Sequence, residues 1–124
     1  MSLKSIDPAL DLMGDFAKVT NGVTRHIQQM RQAAIFTDGA LPARQKALAA
    51  MLWSISARCE PCIVFYVQQA VTLGTTEDEL GEALAVASTM GGCVGEMWAL
   101  KAYKAYKDFV SGQASTQTEP GCCT

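Results

Sequence analysis

The chain has 124 residues, enough for one domain with its own core and too few for a second. Hydrophobic residues make up 49% and charged residues 18%, and this shortage of charge predicts that other subunits cover some apolar surface. The formal net charge is −2 and the lysines form no broad basic face, which argues against nucleic acid as a partner.

The first third of the chain is predicted to be helical from Asp7-Pro8 onward. Aspartate can cap free amides, and proline is tolerated at the first helical position. Apolar residues then recur at helical spacing on both sides of residues 20–22, where we expect a kink or a break between two helices. These residues are Leu10, Met13, Phe16, Ala17, Val23, Ile27, Met30 and Ala34. The segment is expected to end at residues 37–39, because Gly39 suits a left-handed position after a helix.

Two helices are predicted to flank residues 58–62. The first opens at Leu41-Pro42, and its apolar groups surround most of its circumference, which is typical of a central, buried helix. These groups are Ala47, Leu48, Met51, Leu52, Trp53 and Ile55. The second helix begins near Pro61, since proline is favoured in the first helical turn, and its apolar residues continue to Gly74.

The last part of the chain is predicted to hold two more helices. Thr76 and Glu79 have the spacing of a capping box, which indicates a helix start. The buried stripe of this helix is predicted to be Leu80, Ala83, Leu84, Ala87 and Met90. Gly91-Gly92 then allows a close backbone approach or a sharp turn. The final helix should run from about residue 93 to 110 and end by Gly112, with inward side chains Met97, Trp98, Ala102, Ala105, Tyr106 and Phe109.

No strand-like alternation is present, so the predicted fold class is all-α. We expect residues 1–112 to form a single helical domain and residues 113–124 to form a polar, flexible C-terminal tail. No apolar run reaches the roughly 18–20 residues that span a bilayer, and the N-terminus lacks a targeting pattern. We therefore expect a cytoplasmic protein with no membrane partner.

The most specific stretch is Arg58-Cys59-Glu60-Pro61-Cys62, which holds the CxxC pair of a chain with five cysteines. An odd number of cysteines without a secretory signal argues against a disulfide scaffold and favours redox or metal chemistry. At a helix start, two sulfurs one turn apart are close enough for a disulfide, and the helix dipole stabilises their thiolates. Such a pair can cycle between dithiol and disulfide with little backbone movement.

Residues from about 42 to 107 resemble the alkylhydroperoxidase D and carboxymuconolactone decarboxylase superfamily. The matching features follow in order: a buried apolar helix, Cys59-Glu60-Pro61-Cys62, and residues 73–80, 83–87 and 90–92. The resemblance implies a helical bundle that assembles into trimers or hexamers. In its CxxC branch it implies peroxiredoxin-type activity, reduction of a small hydroperoxide or disulfide, with electrons from a thiol reductant protein or a lipoyl-type donor. We expect no cofactor and no bound metal.

Two positions of the family's proton relay differ in this chain. The glutamate expected twelve residues before Cys59 is Ala47, and the histidine expected four residues after Cys62 is Tyr66. Tyr66 can donate a hydrogen bond to a thiolate but is a poor base near neutral pH, so its expected role is orientation or stabilisation. The resemblance implies that Cys62 attacks and Cys59 resolves, whereas the helix dipole alone equally favours Cys59 as the nucleophile.

Three further residues, Glu60, Cys93 and Glu96, are auxiliary candidates, and His26 is not. Glu60 can accept a proton if it is desolvated, although its charge would disfavour a neighbouring thiolate, an effect that Arg58 opposes. Cys93 either lies near the CxxC or packs, and packing is favoured. Glu96 can supply the missing acid or base, but a solvated or interface-paired glutamate is favoured. His26, the single histidine, is expected to face solvent or cap a helix.

The sequence is also compatible with two other functions. One is a carboxymuconolactone decarboxylase-like enzyme acting on a small lactone acid, against which the CxxC and the lack of a central histidine argue. Another is a non-catalytic assembly or metal-binding protein with a degenerate site. Cys122-Cys123 in the tail can relay electrons, bind a soft metal or have no function, and the last is slightly favoured.

Overall fold

The computed structural model describes residues 6–113, and every regular element in that range is helical. A short 3₁₀ helix at Pro8–Leu12 leads into five α-helices, which are α1 (Met13–Val19), α2 (Val23–Ala34), α3 (Ala43–Ala57), α4 (Glu60–Thr72) and α5 (Glu77–Gln113). The prediction of an all-α fold is confirmed. Cys122, Cys123 and the predicted tail beyond residue 113 lie outside the described residues.

Three of the helices within residues 6–113 end with the same hydrogen-bond pattern around a residue in the left-handed conformation. After α1, α3 and α4 this residue is Asn21, Arg58 and Gly74, with φ of 57°, 57° and 102°. In each case its N–H donates to the carbonyl three residues back, and the next N–H donates to the carbonyl five residues back. This Schellman pattern closes a helix and redirects the chain. Residues 20–22 are therefore a break between two helices.

Helices α3, α4 and α5 pack on one another and form the core. Helix α4 is the most enclosed, because 7 of its 13 residues are buried. The largest fully buried side chains come from all three helices and are Met51, Ile63, Val67 and Leu80. Each such side chain contributes about 1.5–3 kcal/mol by leaving water. The helix that follows the first cysteine of the CxxC is thus held by neighbours on both sides.

Several apolar side chains that the sequence predicts to face inward are exposed in this chain. Neither α1 nor α2 has a buried residue, and Phe16 and Met30 on their predicted stripe are 54% and 63% exposed. Trp53 is 75% exposed and Met90 is 82% exposed, and Met97 also faces outward. Helical periodicity identifies an apolar face but not the surface that covers it, and a single chain leaves these faces uncovered.

Two predicted helix ends are also wrong. Helix α2 ends at Ala34, and Gly39 does not adopt a left-handed φ. The turn instead starts α3, because Asp38 Oδ1 accepts a hydrogen bond from the Ala43 N–H at 2.8 Å. At the other end of the chain, α5 continues through Gly112. A single glycine in a helix costs only about 1 kcal/mol, so it does not stop the helix by itself.

Helix α5 consists of two halves that fold back on each other at Gly92. Gly92 has φ 60° and ψ −144°, a conformation open to glycine and strongly disfavoured for other residues. The Tyr103 hydroxyl donates to Glu77 Oε2 at 2.7 Å, and Lys107 Nζ lies 3.2 Å from the same oxygen. In a straight helix residues 77 and 103 would be about 39 Å apart. Of the two alternatives that the sequence allowed at residues 91–92, the structure has the sharp turn.

The fold-back brings the two halves of α5 into backbone contact at Gly95. A methyl group built on Gly95 would lie 2.5 Å from the Ala87 carbonyl oxygen, closer than carbon and oxygen can approach. Gly95 is buried, whereas Gly91 has open space where its side chain would be. Two glycines thus serve different purposes here, because Gly92 makes the turn and Gly95 permits the close packing.

By length and composition alone, residues 77–112 could cross a membrane, with a mean hydropathy of 1.2 in their most apolar window. The sequence predicts no such segment. A single helix of this kind is weak evidence for a membrane span, and the chain reverses at Gly92, so the stretch is not one straight rod. The cytoplasmic location remains a prediction.

The start of α5 confirms the predicted capping box. The Thr76 N–H donates to Glu79 Oε1 at 2.9 Å, and the Glu79 N–H donates to Thr76 Oγ1 at 3.1 Å. Glu79 also forms an ion pair with Arg44 of α3, which ties the two helices together. The Arg44 guanidinium, followed by the Thr76 backbone N–H, lowers the pKa of the Glu79 carboxyl from its ordinary value of 4.5.

This ion pair predicts a pH-dependent contribution to stability. A carboxyl whose pKa is lower in the folded state stabilises the fold above its unfolded-state pKa, and that contribution is lost as pH falls through the lowered value. Glu79→Gln keeps the oxygen that accepts from Thr76 but loses the charge. We therefore expect its melting temperature to fall less than that of the wild type between about pH 7 and pH 3.

The matched control is Glu82→Gln, which changes an exposed glutamate on the same helix that makes no ion pair within residues 6–113. The control should keep the wild-type pH dependence. The melting temperatures are measured by circular dichroism over this pH range. If the melting temperature falls equally in the wild type, Glu79→Gln and Glu82→Gln, the expected role of Glu79 is contradicted.

Candidate functional site

Cys59 belongs to the end of one helix and the start of the next. Its N–H donates to the Ser54 carbonyl at 3.1 Å, which completes the turn that closes α3. Its own carbonyl accepts from the Ile63 N–H at 2.9 Å, which is the first turn of α4. Cys59 is the N-cap of α4 and its side chain makes no capping hydrogen bond. The thiol therefore lies at the positive end of a helix dipole.

Cys62 is the third residue of α4, one helical turn beyond Cys59. Pro61 occupies the second position, where its missing N–H removes no helical hydrogen bond. Both thiols are partly exposed, and neither takes part in a disulfide. Residues three apart in a helical turn have Cβ atoms about 5–6 Å apart, and disulfides need about 3.5–4.5 Å. A small closure of the first turn is thus sufficient to join the sulfurs.

Arg58 precedes the pair in a left-handed conformation with φ 57° and ψ 41°. Glycine is the usual residue at this position of a Schellman motif, and an L-residue costs roughly 1–2 kcal/mol there. The side chain of Arg58 is exposed and carries a positive charge next to Cys59.

Glu60 faces the second half of α5. Its Oε1 lies 3.9 Å from Lys101 Nζ, and the same Lys101 nitrogen lies 5.1 Å from the centre of the Trp98 ring. The Glu60 side chain is 44% exposed. Because Lys101 balances its charge, Glu60 opposes a neighbouring thiolate less than an isolated carboxylate would.

Tyr66 is buried one turn after Cys62 and meets a partner that the sequence did not indicate. Its hydroxyl oxygen accepts a hydrogen bond from Arg31 Nε at 3.0 Å. The Phe36 ring stacks on it, with ring centres 6.2 Å apart. Since Arg31 donates to the phenol oxygen, the phenol keeps its own proton for donation to a second acceptor. No local motif identifies Arg31, because Arg31 and Tyr66 lie on different helices and are 35 residues apart in the chain.

The other candidates are not joined to the cysteines by hydrogen bonds or ion pairs. Cys93 and Glu96 are exposed, and neither makes such a bond within residues 6–113. The His26 ring lies 3.1 Å from the Gly22 carbonyl on its own helix and is exposed, as expected for a residue without a catalytic role. Ala47 is fully buried on α3.

No group of three or more His, Cys, Asp or Glu side chains is arranged to hold a metal ion in the part of the chain that the structure describes. The site consists, in these residues, of two thiols at a helix start, a charged residue on each side of the first thiol, and a buried tyrosine held by an arginine.

Comparisons with known proteins agree with this architecture. The sequence profile of the Carboxymuconolactone decarboxylase family matches residues 21–105. The crystal structure of the apo form of a carboxymuconolactone decarboxylase family protein from Legionella pneumophila superposes with a TM-score of 0.72 at 35% identity. That match covers 77% of this chain and 85% of the other.

A curated relative, an uncharacterized protein of Cupriavidus necator, is 41% identical over 65 residues. The aligned segment spans 52% of this chain and 58% of the relative. The match therefore concerns little more than half of either protein, and it includes no stated activity.

Proposed function

This chain belongs to the carboxymuconolactone decarboxylase family, and from that membership and its CxxC we propose that it is a thiol-disulfide oxidoreductase. The observation that carries the proposal is the position of two partly exposed thiols at the N-cap and third residue of α4. This arrangement puts the two thiols at the positive end of a helix dipole and allows a disulfide with little movement. We assign the exchange chemistry to Cys59 and Cys62.

We propose that the oxidant is a small hydroperoxide or a disulfide. With a hydroperoxide, a thiolate attacks one peroxide oxygen, the O–O bond breaks, and the alcohol leaves with a proton. The attacking sulfur becomes a sulfenic acid. The second thiol then attacks that sulfur, which forms the S–S bond and releases water.

The cycle closes when an external dithiol reduces the Cys59–Cys62 disulfide. One donor thiolate attacks the disulfide and forms a mixed disulfide, and the second donor thiol releases both protein thiols. The donor is thereby oxidised by two electrons. A thiol reductant protein or a lipoyl-type group has the required chemistry.

Tyr66 and Arg31 supply the polar support that Ala47 does not provide. Tyr66 lies one turn after Cys62 on the same helix, so the two side chains share one face of α4. Arg31 donates to the phenol oxygen and so fixes the orientation of the remaining proton. We therefore infer that Tyr66 stabilises the thiolate and that Arg31 is a positioning residue for Tyr66.

Tyr66→Phe is expected to reduce thiolate formation. A hydrogen bond to a charged group is worth about 1.5–3 kcal/mol, so turnover near neutral pH should fall about tenfold or more. Arg31→Met should reduce turnover by the same factor. If Tyr66 and Arg31 act as a unit, turnover of the double variant should be no lower than that of either single variant. The measurement is the rate of iodoacetamide alkylation against pH in a background with Cys93, Cys122 and Cys123 replaced by serine.

The control for this prediction is Arg25→Met, which removes an exposed arginine from the same helix as Arg31. It should leave the alkylation profile unchanged. If Tyr66→Phe and Arg31→Met lower the melting temperature but leave the alkylation profile at its wild-type position, the pair has a packing role only.

We further propose that the protein acts as a homo-oligomer, a trimer or hexamer. The exposed faces of α1, α2 and α5 support this, because apolar side chains such as Phe16, Met30 and Met97 are uncovered in the single chain. A cytoplasmic location is part of the same proposal, since free thiols persist in a reducing compartment.

The proposed function is tested by turnover of the wild-type protein. Purified protein should consume cumene hydroperoxide or a small aromatic disulfide in the presence of a dithiol such as dihydrolipoamide, with two thiols oxidised per substrate. If no dithiol is consumed but the protein releases carbon dioxide from a lactone acid with all cysteines alkylated, it is a decarboxylase and the proposal is wrong.

A further inference from the structure

An open groove lies between α3 and the fold-back of α5, and Arg58, the residue before Cys59, is part of its lining. Its volume is about 640 Å³, within the range of about 300–1,000 Å³ that holds small-molecule ligands. Its lining is mostly apolar and includes Trp53 and Val86 and, near the turn, Met90, Val94 and Trp98. The groove is therefore suited to the hydrophobic body of a ligand.

Arg58 lines the same groove and is the only charged residue among the described residues that do so. The next residue in the chain is Cys59, although neither Cys59 nor Cys62 is itself part of the lining. A guanidinium pairs well with a carboxylate, and a single positive charge selects a single negative one. The groove thus combines an apolar surface with one anion-binding group.

The backbone at Arg58 supports a role for its side chain. Glycine adopts the left-handed conformation at a lower free-energy cost than arginine, and glycine is the residue at the corresponding position after α4, Gly74. Backbone strain of this kind clusters at functional sites. The turn itself gives no reason for arginine, so the reason lies with the side chain.

We propose that this groove binds an apolar molecule with one carboxylate, which pairs with Arg58. The inference rests on the proposed redox function for its second part, that the substrate is an aliphatic or aromatic monocarboxylate bearing a hydroperoxide. Binding places the apolar body against Trp53 and Trp98 and holds the substrate beside Cys59. The peroxide then reacts by the balanced steps given above.

Binding is tested with decanoate, which has the carboxylate and apolar chain but no reactive bond. Both tryptophans of the chain line the groove, so tryptophan fluorescence should change saturably on titration. The titration uses the Cys59→Ser/Cys62→Ser double variant as well as the wild type. Equal binding by both would show that the groove works without the thiols, whatever the outcome of the turnover assay.

Arg58→Gly removes the charge and relieves the strained conformation, so the variant should fold normally. Its affinity for decanoate should fall at least about tenfold, while its affinity for the neutral analogue decanol should stay within about twofold of the wild-type value. Val94→Asp, which puts a negative charge in the groove, should also weaken decanoate binding. The control is Lys104→Gln, an exposed lysine outside the groove, which should bind as the wild type does.

Three results would overturn the proposal. One is a lack of any saturable fluorescence change with decanoate. Another is an Arg58→Gly variant that binds decanoate as tightly as the wild type. The third is a Val94→Asp variant that light scattering shows to be a smaller assembly than the wild type, with decanoate binding to neither of the two proteins. That result would assign the groove to an interface between copies of the chain.

Discussion

Replacing either Cys59 or Cys62 with serine is expected to abolish thiol-disulfide turnover. A serine hydroxyl cannot form a disulfide, so neither single variant can complete the two-electron cycle. The loss should be at least about a thousandfold, because removal of a covalent nucleophile commonly costs that much or more. The measurement is steady-state consumption of dithiol with a hydroperoxide or disulfide substrate.

The two variants also separate the roles of the thiols. With the attacking cysteine intact, one equivalent of hydroperoxide should leave a sulfenic acid that dimedone traps. With the attacking cysteine replaced, no such product should form. The family resemblance assigns attack to Cys62, whereas exposure and the helix dipole permit either residue.

The control is Cys93→Ser, which changes an exposed thiol that makes no hydrogen bond within residues 6–113. It should retain full turnover. If the Cys59→Ser and Cys62→Ser variants both keep wild-type activity, the CxxC is not the reaction centre and the proposed function is wrong.

The second large effect is expected at the fold-back of α5, where Gly95→Ala and Gly92→Ala should each destabilise the protein by about 1–3 kcal/mol. The reasons differ. A methyl group on Gly95 would strike the Ala87 carbonyl, whereas Gly92 has space but a backbone conformation that alanine avoids. The measurement is the free energy of unfolding from urea titration.

Two other glycines of α5 provide controls. Gly81→Ala and Gly91→Ala add a methyl group where no atom lies within 4 Å and where φ is not positive. Alanine is the better helix former, so these variants should be as stable as the wild type or more stable by up to about 1 kcal/mol. Equal effects at all four positions would contradict the fold-back.

The fold-back also links stability to the proposed reaction. The second half of α5 carries Lys101, which reaches Glu60 between the two cysteines, and Arg58 lines a groove formed in part by residues 86–98. A change in the angle between the two halves of α5 should therefore move Lys101 relative to Glu60 and also alter the groove next to Arg58. Gly95→Ala is expected to reduce the turnover of each folded molecule, in addition to lowering the fraction of protein that is folded.

Much of the local structure follows from the sequence because it depends on near neighbours. Thr76 and Glu79 mark a helix start by their spacing, and their side chains form the expected reciprocal hydrogen bonds. Pro61 is favoured in the first turn of a helix and Gly92 can adopt a conformation that other residues avoid, and the structure has a helix start and a sharp turn there. The positions of the CxxC and of the fold-back were predictable for this reason.

Long-range contacts were less predictable. Arg31 reaches Tyr66 only because α2 comes back to α4, and no spacing in the sequence indicates that approach. Trp53 and Met90 were predicted to be covered, but a single chain leaves them exposed, because hydrophobicity does not specify which surface covers a residue. The predicted helix end at Gly39 was wrong because α2 already ends at Ala34, and the Asp38 side chain instead accepts a hydrogen bond from the first N–H of α3.

The central claim, that Cys59 and Cys62 form a redox pair, is tested most directly by the reduction potential of that pair. The protein would carry serine at positions 93, 122 and 123 and be equilibrated in dithiol and disulfide buffers, with the Cys59–Cys62 bond measured by mass spectrometry. We expect one reversible disulfide with a potential of roughly −120 to −270 mV, the range of catalytic dithiols. Failure to form this bond, or a potential below about −300 mV as in structural disulfides, would contradict the claim.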